Sequence, residues 1–148
     1  MPNTGKEDIF YIGIKAVIQN SRGEVLLLKT NPEDFHDKTP SFWELPGGRM
    51  NQGEDVEKTV TREVLEETGI RGVEVVRFLD AIVTNARVPY GDIKAGLALF
   101  VYLCKVKNSD KVILSFEHLE YGWFPPKEAA AFLKKSFANS VAEKIKEL

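Results

Sequence analysis

The sequence has one cysteine, Cys104, so no disulfide can form within the chain. That excludes the stapled framework of small secreted domains. Cys104 lies inside the apolar run 97–106 and reads as a buried strand thiol, not a reactive one. No hydrophobic stretch approaches the roughly 18–20 residues of a membrane span. Lysine and arginine total 20 against 22 acids, a formal charge of −2, and no basic block stands out. A general binder of nucleic-acid backbones would carry such a block. Residues 1–7 are polar and unlike a secretory leader. Internal repeats, low-complexity segments and linkers are also missing. The expectation is one soluble, cytoplasmic domain over residues 1–148, long enough to bury a core unaided.

What is present alternates between extended and helical patterns. Residues 10–19, rich in aromatic and β-branched side chains, read as a strand. The turn Asn20-Ser21-Arg22-Gly23 leads to a second strand over 24–29, making a hairpin. Residues 30–41 read as a surface loop, and 42–45 as a short extended piece ending at Pro46-Gly47-Gly48. A helix is predicted over 55–68, with Asp55 as N-cap and Gly69 as C-terminal stop. Residues 73–84 and 94–106 read as strands joined by a loop over 85–93. Residues 112–115 form a shorter extended segment, and Trp123-Phe124 a last strand. Pro125-Pro126 then opens a helical region running to Leu148. This order predicts an α/β fold, a mixed sheet sandwiched between helices.

The predicted helix carries Glu63, Glu66 and Glu67. Spacings of three and four residues put them on one face, within a sector of about 100°. Val56, Val60 and Val64 form an apolar stripe whose edge Glu63 and Glu67 overlap, although acids ordinarily keep to the solvated face. Like charges crowded at the edge of a core repel and lose hydration. A hard divalent cation such as Mg²⁺ or Mn²⁺ relieves both. An ordinary acidic helix face is the plain alternative. Arg62 can orient a neighbouring carboxylate, and Glu54 can pair with Arg62 if the incoming chain bends back.

The segment Gly48, Glu54, Arg62, Glu63, Val64, Glu66, Glu67, Gly69, Ile70 resembles the Nudix signature, with every spacing kept. That signature is a glycine, five residues, a glutamate, seven residues, then Arg-Glu-aliphatic-any-Glu-Glu-any-Gly-aliphatic. Trp-Glu-Leu-Pro-Gly-Gly before it, and Glu117-His118 and Trp123 after it, are similar to the MutT-like branch of the same superfamily. The resemblance implies a pyrophosphohydrolase that cleaves a nucleoside diphosphate linked to another moiety. It implies Glu63, Glu66 and Glu67 as ligands of Mg²⁺ or Mn²⁺, joined by a backbone carbonyl at Gly47 or Gly48. Glu63 or Glu66 would orient or deprotonate the water, and Arg62 would hold Glu63. Glu117 is a candidate extra ligand or base. His118 is a candidate base, with a packing role as the plainer reading.

Trp43, Phe42 and Tyr90 are candidates to stack on a base, and Arg87 and Lys94 to reach phosphates, though each also fits a core or surface role. The leading substrate is a nucleoside triphosphate, oxidised or non-standard ones included, cut to monophosphate and pyrophosphate. ADP-ribose or another nucleotide sugar is the rival, weakened because Pro89 lies late, 20 residues beyond Gly69. A non-catalytic nucleotide-binding module is a second class. An interaction domain using the C-terminal helix is a third. The expected partner is a small-molecule nucleotide, not a nucleic acid polymer or a membrane, and a homodimer is compatible with so small a domain.

Overall fold

The computed structural model describes residues 5–35, 37–108 and 111–148. The polar stretch over 1–7 and the loop over 30–41 therefore lie partly outside the described residues. Strand β1 (Phe10–Gln19) and β2 (Val25–Thr30) form the expected hairpin. β3 (Trp43–Glu44) and β4 (Gly47–Arg49) follow, then helix α1 (Val56–Thr68). β5 (Glu74–Val83), β6 (Val88–Tyr90), β7 (Ile93–Lys105) and β8 (His118–Phe124) precede α2 (Pro126–Leu133) and α3 (Asn139–Lys146).

The sheet is mixed. β1 runs parallel to β7 over its whole length, whereas β5 pairs with β7, and β8 with β2, antiparallel. Alternation splits the core into two layers. Ile14, Ala16, Ile18, Leu26, Leu28 and Cys104 point to one face, where Val60 and Val64 of α1 cover them. Val17, Val25, Leu27, Val101 and Leu103 point to the other, against Ala129, Leu133, Val141 and Ile145 of α2 and α3. The expected α/β sandwich is therefore observed. Burial pushes the Cys104 thiol up to about 12, as suits a structural side chain.

The hairpin splays, and this decides where the site lies. β1 and β2 register only at Gln19↔Val25, next to the turn. Further along, β4 takes the freed edge of β1 through Gly13↔Arg49 and Lys15↔Gly47, while β3 takes the edge of β2. Residues 45 and 46 bridge the split, and Ala16 donates its N–H to the Pro46 carbonyl.

Several elements differ from the sequence expectation. The loop over 85–93 contains β6, a tight antiparallel return onto β7. Residues 112–115 form no strand; Ile113 instead donates to the Thr68 carbonyl at the end of α1. The last strand begins at His118, because β2 offers it partners as far back as Thr30. The C-terminal helical region breaks at 134–138, where Phe137 donates to the Leu133 carbonyl and the chain reverses. Pro32–Asp34 adds a short 3-10 turn inside the expected loop. No helix among the described residues is long and apolar enough to cross a membrane.

Candidate active site

Local sequence signals set α1. The Asp55 side chain accepts from the Lys58 N–H, and Gly69 adopts φ 71° while its N–H closes on Leu65. Between these caps, burying Val60 and Val64 fixes the rotation of the helix. Glu67 is thereby driven into the split between β1 and β2, where it is 3% exposed. Glu63 is half-buried at the rim, and Glu66 stands in solvent.

Arg62 ties the rim together. Its guanidinium grips both oxygens of Glu54 at 2.7 and 2.9 Å, donates to Glu63 at 2.8 Å and to the Arg49 carbonyl at 3.0 Å, and reaches Glu66 at 3.5 Å. The Glu54 pairing arises as anticipated, from the chain bending back ahead of the helix. Hydrogen bonding to Arg62 holds the Glu54 carboxyl at about 2, far below its ordinary value. Glu63 packs against Gly48; a Cβ at that position would lie 2.6 Å from the Glu63 carboxyl carbon. A glycine is needed there so that backbone and carboxylate can touch.

Deeper in, Glu67 accepts the Gly47 N–H at 3.1 Å through Oε1. Its Oε2 is buried with no hydrogen-bond partner among the described residues. Burial pushes the carboxyl up to about 9, with the nearby Glu44 and Glu63 adding to the effect. Glu117, exposed in the turn before β8, is also raised, first by partial burial and then by Asp34, Glu63 and Glu44. Carboxylates from four separate segments thus share one electrostatic field. Such a crowd is costly unless protons or a cation offset it. The orphaned oxygen and the all-oxygen rim fit a divalent cation of the Mg²⁺ or Mn²⁺ kind. Glu67 and Glu117 are side chains that could hold it, with Glu63 and Glu66 at the rim beside Arg62. Once bound, such an ion neutralises phosphate charge and lowers the pKa of attached water.

Three groups in the split escape pattern reading. Lys15 projects from the middle of β1, its ammonium 3.2 Å from the Leu45 carbonyl and 3.7 Å from Glu44. Glu44 in turn sits 2.7 Å from His118 Nε2. Burial would raise the Glu44 carboxyl, yet Lys15 and His118 outweigh it and hold it below the usual range. Arg49 is the third, lying 4.8 Å over the Tyr11 ring while its carbonyl binds Arg62. A lysine at an inward-facing strand position, two before Val17, was the visible signal for the first of these.

The substrate candidates are placed apart from the carboxylates. Trp43 packs among Phe124 and Phe132 with centroids 5.4 and 5.7 Å away, its carbonyl accepting from Ser136. Phe42 lies against Phe35. Arg87 pairs with Asp8 at 2.7 Å and donates to the Lys94 carbonyl. Tyr90 is half-exposed, edge-on to Tyr11 at 6.0 Å. Arg87, Tyr90 and Lys94 therefore line the β6–β7 hairpin, which touches Tyr11 and, through it, Arg49 at the rim.

Comparison with known proteins matches the NUDIX domain family model to residues 10–147. Nucleoside diphosphate-linked moiety X motif 6 of Xenopus laevis is 46% identical over 55 residues, 37% of this chain and 23% of that protein. Nudix hydrolase 6 of Arabidopsis thaliana is 28% identical over 152 residues, 93% of this chain and 49% of that protein. The chain thus spans between 23% and 49% of these curated relatives. The crystal structure of MutT protein from Methanosarcina mazei Go1 superposes with a TM-score of 0.71 at 27% identity, covering 96% of this chain and 94% of that one.

Proposed function

The chain belongs to the NUDIX domain family, and on that footing we propose that it is a divalent-metal-dependent pyrophosphohydrolase acting on a nucleoside diphosphate linked to a further group. The leading substrate is a nucleoside triphosphate. Water oxygen bonds to one phosphorus of the anhydride, the bridging P–O bond breaks, and the products are a nucleoside monophosphate and pyrophosphate. Glu63 or Glu66 orients the water and takes its proton. Arg62 positions Glu63 through their 2.8 Å contact. Glu67 and Glu117 would hold the ion, which would supply shielding of the phosphate charge.

One observation carries this reading: a buried carboxylate oxygen on Glu67 with no hydrogen-bond partner among the described residues, in the field of Glu63 and close to Glu117. A fold kept only for packing would gain by replacing that group with an apolar one. The four glutamates of the signature and its arginine are all present, which favours catalysis over a binding-only module. Likeness over 57 residues, at 39% identity, to a Bacillus subtilis protein called putative 8-oxo-dGTP diphosphatase supports the triphosphate choice.

The test is product formation from a panel of nucleoside triphosphates, dinucleoside polyphosphates and ADP-ribose with Mg²⁺ or Mn²⁺, comparing wild type with Glu67→Gln. Monophosphate plus pyrophosphate from a triphosphate, lost in the variant, is the expected result. AMP and ribose phosphate from ADP-ribose alone would replace the triphosphate reading. Tight nucleotide binding without turnover would overturn catalysis.

A further inference from the structure

We propose that His118 is a nitrogen ligand of the divalent ion, shared with Glu67 and Glu117 and aimed by Glu44. This rests on the reading that the cleft binds such an ion. It adds a donor type that a set of carboxylates does not supply.

The geometry is specific. His118 is 5% exposed at the start of β8, and its Nε2 lies 2.7 Å from Glu44 Oε1. Glu44 is itself held by Lys15. Nε2 therefore carries the hydrogen and donates it, which turns the Nδ1 lone pair towards Glu67. Nδ1 and Glu67 Oε2 stand 3.7 Å apart, both buried and both without a hydrogen-bond partner among the described residues. That separation is too long for an N–H···O bond. Across that gap no direct hydrogen bond joins the two groups.

Two ligands about 2.1 Å from one ion can stand up to about 4.2 Å apart, so a single cation spans this gap. Glu117 joins the set by a small movement of its exposed side chain, since one donor atom from each of Glu67, Glu117 and His118 lies within 4.8 Å of the others, a limit slightly beyond that span. Metal-binding histidines characteristically give their second ring N–H to a carboxylate, the part Glu44 plays. An imidazole donor shifts preference from Mg²⁺ towards Mn²⁺, Co²⁺ or Zn²⁺.

The full chain loaded with Mn²⁺ is examined by pulsed electron paramagnetic resonance, in natural abundance and with ¹⁵N-histidine. The expected spectrum shows imidazole ¹⁴N modulation that ¹⁵N labelling replaces. The chain has two histidines, so the coupling must persist in His36→Gln and vanish in His118→Gln. Glu44→Gln keeps the coupling but weakens Mn²⁺ binding about 10–100-fold. Mn²⁺ bound without nitrogen coupling overturns the proposal and leaves the hydrolase reading standing. Failure to bind Mn²⁺ at all overturns both. Should His118→Gln not fold, labelled wild type and His36→Gln still decide.

Discussion

Glu67 and Arg62 serve opposite ends of one arrangement, and their substitutions should part company. Glu67 is kept at a cost to the ion-free fold. Its carboxyl is raised by burial to about 9, whereas in the unfolded chain it titrates near its ordinary 4.5. The folded state then holds a proton that the unfolded state gives up. The associated stability is full below about pH 4.5 and is lost as pH rises through about 9. Glu67→Gln removes this penalty while its side-chain oxygen still accepts from Gly47. The ion-free variant should therefore melt above wild type at pH 8 while losing activity, a stability–function trade. Equal or lower Tm at pH 8, by differential scanning calorimetry with chelator, would remove burial as the cause. Arg62 is a positioning residue. Arg62→Lys keeps the charge but loses the fork that grips Glu54 and Glu63 together. Steady-state kinetics should show kcat down about 10–100-fold with KM little changed.

At the level of elements, adjacent glycines in β4 should fail differently. Gly47 has φ 142°, and a Cβ there would fall on the Ile14 carbonyl and lie 2.9 Å from the Lys15 Cα. Neither backbone can yield without breaking β1–β4 pairing. Gly47→Ala should cost about 2–4 kcal/mol in urea denaturation. At Gly48 the obstacle is the far end of the Glu63 side chain, which can swing away. Gly48→Ala should melt close to wild type and still lose most activity. Matching losses of stability in the two variants would refute this division of roles.

The same elements mark what the sequence could tell. Helix α1 was readable because its caps, its valine stripe and its glutamate spacing are all local. Strand β4 was not: two glycines and an arginine have no strand preference, and they pair only because the splayed hairpin leaves an edge of β1 open. β6 likewise forms on a template, the start of β7. The buried set of Lys15, Glu44 and His118 depends on that splay, a contact of residues far apart in sequence. Lys15 drew no notice in the sequence, and His118, a candidate base with packing as the plainer reading, is brought beside Glu44 and Glu67 only by the fold.

Across the whole molecule, two apolar layers hold one sheet whose central seam is opened for polar groups. The layers of Ile14, Leu26 and Val60 on one side and Val17, Leu27 and Leu133 on the other are fully or nearly fully buried. They give the seam rigid walls, which suits a site whose carboxylates come from α1 and from the turn before β8. The family signature made the fold class legible, since it requires this strand–loop–helix order. The substrate is less so, because Trp43 is packed against the core layer and the β6–β7 hairpin meets the rim through Tyr11 and Arg49, not through the carboxylates named for it.

The most direct test is hydrolysis of a nucleoside triphosphate in ¹⁸O-water with Mn²⁺, with products weighed by mass spectrometry. The account predicts monophosphate and pyrophosphate, one ¹⁸O atom per turnover in one of them, and no product from Glu67→Gln. A nucleoside diphosphate with orthophosphate, or turnover undiminished in Glu67→Gln, would contradict it.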